Sequence, residues 1–446
     1  MIRQSKLLAL TALLLLAFTP AQAIEIEEVV SPGGIKAWLV QDDTADLISM
    51  SFSFRGGALM DPDGREGTAN LLASTMDEGA GDLDSQAFRQ KLEDQSITVK
   101  FSAGTETFGG SFTTLNRYRD NAVELLRLAL SEPRFDTDAV ERIRGQILIG
   151  MNQKISDPQT IAGKTLYAAL FGDHPYTRSS SGTIEGMQAV TVDDMRTYMD
   201  RVLTKDHLMI GVVGKITAED LAPMLDTIFG ALPDTGTPID IPKPVIAKGE
   251  TVVVEQDIPQ SIMLFAQPGL TRLDPDFYPA YVLTHILGGG GFESRLMQEV
   301  REKRGLAYSA YAYMRDYDEA GLIVGGVGTR NDAVAESISV VRQEWEDLQK
   351  NGVDQVSLDN AKAYLTGSYP LRFTSSGAIA RILVGIQYYD FPIDYVDNRN
   401  ALVDAVTLED VNRVARTLLD PSALTVVVVG KPEGVTPTRK PPELTF

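Results

Sequence analysis

The chain has no cysteine in its 446 residues, so no disulfide staples the fold and no thiolate can act as nucleophile or metal ligand. Histidine is almost as scarce. The three present, His174, His207 and His285, lie far apart in sequence, and no two stand at the i, i+4 spacing that puts a ligand pair on one helix face. Cations are outnumbered, with 41 Lys and Arg against 61 Asp and Glu and a net charge of −20. Nucleic acid is thereby excluded as a partner, because phosphate binding needs clustered Lys and Arg. Long apolar runs are also missing: the longest, residues 7–18, falls short of the roughly 20 residues that cross a bilayer.

That run follows Arg3 and Lys6 and ends at Ala21-Gln22-Ala23, the charge, apolar and small-residue order of a secretory signal peptide. Residues 1–23 are expected to be removed, leaving an exported, periplasmic chain from Ile24 that is soluble and not membrane-bound. An uncleaved anchor is the alternative. The remainder, with a hydrophobic fraction of 43%, can bury a large core and reads as globular.

Residues 191–215 and 407–431 repeat one pattern at an offset of 216. Each opens with a capping Thr (Thr191, Thr407) and an acidic residue three positions on (Asp194, Asp410), continues as an amphipathic helix, and ends in an apolar strand at Gly-Lys. A fainter echo pairs residues 61–63 with 274–276, both Asp-Pro-Asp. The chain therefore reads as two copies of one unit: 24–235, a linker over 236–250 with prolines at 238, 242 and 244, and 251–446. Strand-like stretches (98–112, 322–327) alternate with helical ones (85–95, 119–131, 332–349), which predicts an α+β fold. Each half would be a largely antiparallel sheet with helices on one face, and the two would join as a clamshell around a cleft.

Residues 288–311, GGGGFESRLMQEVREKRGLAYSAY, resemble the C-terminal half signature of the insulinase/pitrilysin family of zinc peptidases. The likeness extends to Gly172-Asp173-His174-Pro175-Tyr176, to Gly182-Thr183 and to the two-half layout, covering essentially all of the chain after residue 23. It implies a peptide-handling protein in which two such chains enclose a degradation chamber. Active relatives carry His-x-x-Glu-His on a helix of the N-terminal half and a further Glu roughly 75 residues later. Here those positions fall on Asn70, Ala73 and Ser74, and residues 146–152 around Gly150 hold no carboxylate. A catalytic zinc needs about three His, Cys, Asp or Glu donors, so no metal is expected in this chain. The three histidines are read as unrelated packing or loop residues.

The resemblance implies a different contribution from the C-terminal half. Arg301 and Tyr308 fall on the Arg and Tyr that active relatives present toward zinc, with Arg301 near the end of a helix over 293–303, Gly305 as its breaker and Tyr308 on the following strand. Guanidinium and phenol are both donors at neutral pH and could contact a substrate carbonyl or an oxyanion. A surface ion pair with Glu299 or Glu302, and a tyrosine merely covering a sheet, are the alternatives. Gly289, Gly290 and Phe292 are expected to form a turn against bound peptide, since no P-loop Lys-Ser/Thr follows the glycines. Gly109-Gly110 suggests a bulge or a close backbone approach, with peptide addition to that edge as its functional version. Ser180 lacks a Gly-x-Ser-x-Gly setting, and the tail from Gly434 reads as disordered or as a partner contact.

Two functions are expected. In the first, the chain is the metal-free subunit of a heterodimeric zinc metalloendopeptidase, supplying Arg301 and Tyr308 to the zinc site of a homologous zinc-bearing partner that acts on peptide substrates. In the second, it is an inert peptide-binding or scaffold protein of the same fold.

Overall fold

The computed structural model describes residues 24–446; the signal-peptide reading lies outside them. Among the described residues no helix is long and apolar enough to cross a membrane. Thirteen strands are present: β1 (Glu27–Val30), β2 (Lys36–Gln41), β3 (Leu47–Arg55), β4 (Gly79–Ala80), β5 (Leu83–Asp84), β6 (Thr98–Ala103), β7 (Thr107–Leu115), β8 (Leu208–Gly214), β9 (Thr251–Glu255), β10 (Gln260–Pro268), β11 (Ala307–Asp316), β12 (Gly321–Arg330) and β13 (Thr425–Gly430).

The internal repeat surfaces as matching topology. One sheet runs β1-β2-β8-β3-β7-β6 and the other β9-β13-β10-β12-β11, so that β2, β8, β3, β7 and β6 take the places of β9, β13, β10, β12 and β11. In each, one pair is parallel (β2 with β8, β9 with β13) and the remaining pairs are antiparallel. The helices that follow the repeated Thr also match: Val192–Val202 and Leu408–Leu418 both open with a full capping box. Each sheet buries one face against helices of its own half. Phe52 meets Phe54, Phe101 and Phe229 edge-on in the first core. In the second, Phe265 meets Trp345, whose indole N–H donates to Gln267 Oε1 at 2.8 Å.

The opposite faces are covered reciprocally. Helix Pro158–Phe171, which lies before the connecting segment, packs on β13 and β10; helix Ser376–Tyr388 packs on β8 and β3. Each half thus packs its own helices on one face of its sheet, as the sequence suggested, and its other face is covered by a helix that the other half lends. Gly211 permits the approach: a Cβ there would lie 2.4 Å from the Ala380 carbonyl oxygen.

Three expectations change. Residues 98–112 form a hairpin turning at 104–106, not one strand. Gly109 and Gly110 sit in β7, which is paired in continuous register with β3 and β6, so they form no bulge and no free edge. They admit close approach instead, since a Cβ on Gly110 would meet the Phe52 ring at 2.5 Å. The tail is also ordered on its own chain. Arg439 pairs with Glu250 and Lys164 bonds the Thr445 carbonyl at 2.7 Å.

Candidate functional site

Helix Thr68–Thr75 carries Asn70, Ala73 and Ser74, the positions that the resemblance assigns to the zinc motif. It starts where it does because Asp61, after the turn that Gly56 and Gly57 make at positive φ, folds back to accept the Gly67 and Ala69 amides at 2.7 and 2.8 Å. Burial pushes the Asp61 carboxyl up to about 6, against the pull of those two hydrogen bonds. Along the helix, Asn70 is half-buried and reaches the Ser181 carbonyl at 3.5 Å, Ala73 is buried, and Ser74 is half-buried. Helix Thr137–Lys154 lies against it and brings Gly150, where an added Cβ would meet nothing within 4 Å.

The donor set does not fit zinc. At the positions that the resemblance assigns to three ligands and a base stand an amide, a methyl, a hydroxyl and a bare Cα, and among the described residues no three His, Cys, Asp or Glu are placed so as to hold a metal ion. Glu78, just beyond the helix, is committed elsewhere: its buried carboxylate pairs with Arg89 and with Arg142 and takes the Ser85 hydroxyl. The histidines have separate local roles. His174 Nδ1 accepts the Tyr176 amide, His207 lies beside the Val202 carbonyl, and His285 stacks on Tyr364 with ring centroids 5.0 Å apart.

Arg301, Tyr308 and Phe292 come together in the other half. The helix over 295–302 widens into a π-helical turn, Met297–Glu302, and Gly305, at φ +60°, closes it with an N–H to the Arg301 carbonyl at 2.9 Å. The chain then enters β11 with a register shift between Ala307 and Ala310, a bulge that aims Tyr308 outward, where it is 80% exposed. Arg301 Nη1 donates to the Tyr308 carbonyl at 3.1 Å, and its guanidinium lies 4.8 Å from the centre of the Phe292 ring. Its contact with Glu302 is 3.4 Å between half-exposed groups and does little to hold it. The cation is thus fixed by a carbonyl and a ring.

Gly289 and Gly290 lie apart from that pair. They belong to the end of a second π-helical turn, His285–Gly289, and pack against the His285 ring. A Cβ on Gly288 would collide with the Ala312 backbone at 2.2 Å, so this glycine lets the turn press on β11.

Comparison with known proteins places these features in one family. Residues 37–184 match the family model described as insulinase (peptidase family M16), and residues 189–365 match that described as peptidase M16 inactive domain. A Helicobacter pylori protein named non-peptidase homolog YmxG is 27% identical over 86% of this chain and 89% of its own. A Bacillus subtilis protein named as an uncharacterized zinc protease, YmxG, is 26% identical over 67% of this chain and 74% of its own. A crystal structure of a peptidase M16 inactive domain from Pseudomonas fluorescens superposes with a TM-score of 0.85 at 25% identity, covering 94% of this chain and all of that one. The chain belongs to the insulinase (peptidase M16) family.

Proposed function

We propose that this chain is the metal-free subunit of an exported, two-chain zinc metalloendopeptidase that degrades peptides. The observation that carries the reading is the asymmetry between its two halves. The zinc helix has lost every donor, yet Arg301 and Tyr308 are still presented outward by a π-helical turn, a left-handed glycine and a bulge. A homologous companion with an intact His-x-x-Glu-His helix would supply zinc, its activated water and a glutamate base. This chain would supply half of the chamber, with Arg301 and Tyr308 donating to the substrate carbonyl and to the oxyanion that develops from it. A donor so placed contributes on the order of 3 kcal/mol. Export to the periplasm rests on the pattern of residues 3–23 and fits the lack of cysteine.

The test is zinc content and peptide hydrolysis by the purified chain, alone and mixed with a companion bearing the intact helix. The reading expects neither zinc nor hydrolysis alone and hydrolysis on mixing. Zinc-dependent hydrolysis by this chain alone would overturn it; no gain on mixing would leave an inert peptide-binding scaffold of the same fold.

A further inference from the structure

Strand β11 is the free edge of the C-terminal sheet, paired with β12 alone. Natural edges are often blunted by charge or proline, but residues 307–314 read AYSAYAYM, with no charge and no proline. Beside residues 312–316 lies a cavity of 540 Å³ whose far wall comes from the segment after β12, with Tyr364, Leu371 and Arg372. Its rim is apolar and open to solvent: Tyr313 is 46%, Tyr364 60% and Leu371 71% exposed. The stacked His285–Tyr364 pair forms a flat surface inside it.

This groove runs into a second cavity of 310 Å³; Phe277, Tyr281, Asp316 and Arg372 border both. Three arginines, Arg272, Arg372 and Arg399, line the second cavity, and among the described residues none of them has an ion-pair partner. Arg399 is 95% buried, since only 5% of it is exposed. Its guanidinium nevertheless reaches only neutral acceptors, Leu365 O at 2.8 Å and Asn400 Oδ1 at 3.0 Å, and the Tyr369 ring at 4.6 Å. Arg272 is ringed by aromatics, with Phe277 at 4.1 Å and Phe391 at 5.2 Å, and bonds the Tyr395 hydroxyl. The one carboxylate on the wall, Asp316, accepts the Tyr389 hydroxyl at 2.7 Å. Buried cations are ordinarily paired. A pocket with three guanidiniums and one carboxylate, in a chain of net charge −20, is built to receive an anion.

We propose that this groove binds the C-terminal end of a peptide in extended form. The peptide backbone would add to the edge of β11, an apolar or aromatic side chain would rest on His285–Tyr364, and the terminal carboxylate would enter the arginine pocket. Edge pairing supplies affinity without regard to sequence, and the pocket selects chain ends. The inference requires no zinc-bearing companion, because every element belongs to this chain, and it stands or falls separately from the shared-site reading.

The test is equilibrium binding of fluorescent hexapeptides, rich in Phe and Leu, to the purified chain alone, read by anisotropy at two salt concentrations. A free C-terminus is expected to bind at least tenfold more tightly than the C-terminal amide, with the difference shrinking in high salt. Arg372→Ala should narrow that difference at least threefold; the side chain is exposed, so the variant should fold, and its melting temperature checks this. N-methylation of the peptide at alternate residues should abolish binding in one of the two registers. Equal binding of acid and amide, an amidated peptide with an internal Glu binding as well as the free acid, indifference to Arg372→Ala, or no binding at all would each overturn the proposal.

Discussion

The Asp318 backbone N–H donates to the Glu106 carboxylate at 2.9 Å, joining the β11–β12 turn of one half to the equivalent β6–β7 turn of the other. The Tyr176 hydroxyl donates to the same oxygen at 2.7 Å, while Tyr388, from the exchanged helix, donates to the Asp318 carboxylate at 2.8 Å. The junction is therefore a cluster of acids satisfied by phenols and amides. Burial pushes the Glu106 carboxyl up to about 7, and the nearby charges of Asp318 and Asp316 push the same way against its two hydrogen bonds.

A carboxyl raised in the folded state binds its proton more tightly there than in the unfolded chain, where its value is near 4.5. Its contribution is complete below pH 4.5 and is lost as pH rises to about 7. Glu106→Gln keeps Oε1 as acceptor for both hydrogen bonds and removes the titration. Urea denaturation should show the variant losing less stability than the parent between pH 5 and pH 8, and exceeding it by on the order of 1–3 kcal/mol at pH 8. Parallel pH profiles would contradict this account.

Asp61 tests the vestigial helix. Asp61→Ala leaves the Gly67 and Ala69 amides without their acceptors, and each buried orphan costs about 1–3 kcal/mol. The expected loss is roughly 2–4 kcal/mol in urea denaturation, with Asp61→Asn, which keeps one acceptor, falling between. A loss below about 0.5 kcal/mol would mean that the cap does not hold this helix.

Glycines in the sheets sort by what surrounds them. A Cβ on Gly325 would lie 2.3 Å from the Phe265 ring and from the Tyr311 carbonyl oxygen, whereas one on Gly328, three residues along the same strand, would meet nothing within 4 Å. Gly325→Ala should cost about 1–3 kcal/mol through overpacking, and Gly328→Ala should stay within about 0.5 kcal/mol of the parent. Equal effects on the thermal midpoint would refute the packing argument.

Those glycines also show what could be read from sequence. The 216-residue offset that aligns the helix-strand repeats carries Gly109-Gly110 onto Gly325-Gly326, and the structure packs Phe52 on Gly110 and Phe265 on Gly325. The two units and their strands were legible because capping, periodicity and turn chemistry are local. The exchange of helices Pro158–Phe171 and Ser376–Tyr388 was not, because nothing local in either helix specifies which sheet it covers and only long-range packing decides. At the site, the positions 70–74 that the resemblance assigns to the zinc motif and the Arg301–Tyr308 pair each fall in one contiguous segment. The pocket of Arg272, Arg372 and Arg399 is assembled from three distant segments, with no spacing to announce it.

Arg301 and Tyr308 make separable predictions in an assembled enzyme. Tyr308→Phe removes one hydroxyl from a side chain 80% exposed, so folding, pairing and zinc content should not change, while kcat should fall about a hundredfold with a smaller change in KM. Arg301→Ala also frees the Phe292 ring and the Tyr308 carbonyl, and should depress kcat/KM at least as far. Full turnover by both variants would remove them from the chemistry.

The positions that the resemblance assigns to zinc offer a constructive test. Asn70 and Ser74 stand four residues apart on helix Thr68–Thr75, one turn above each other. Gly150, on the helix packed against it, has open space where a side chain would begin. Asn70→His, Ser74→His and Gly150→Glu in one chain would supply two imidazoles and a carboxylate, the set that holds catalytic zinc with one position open. If the two helices have kept their spacing, the triple variant should bind one zinc per chain by calorimetry, with proton release as the imidazoles are stripped, and each single reversion should weaken binding at least tenfold. Ala73→Glu, which restores the base, would then be needed for hydrolysis. Failure of the triple variant to bind, while still folded, would mean that the scaffold has drifted along with its ligands and that the backbone no longer remembers the metal.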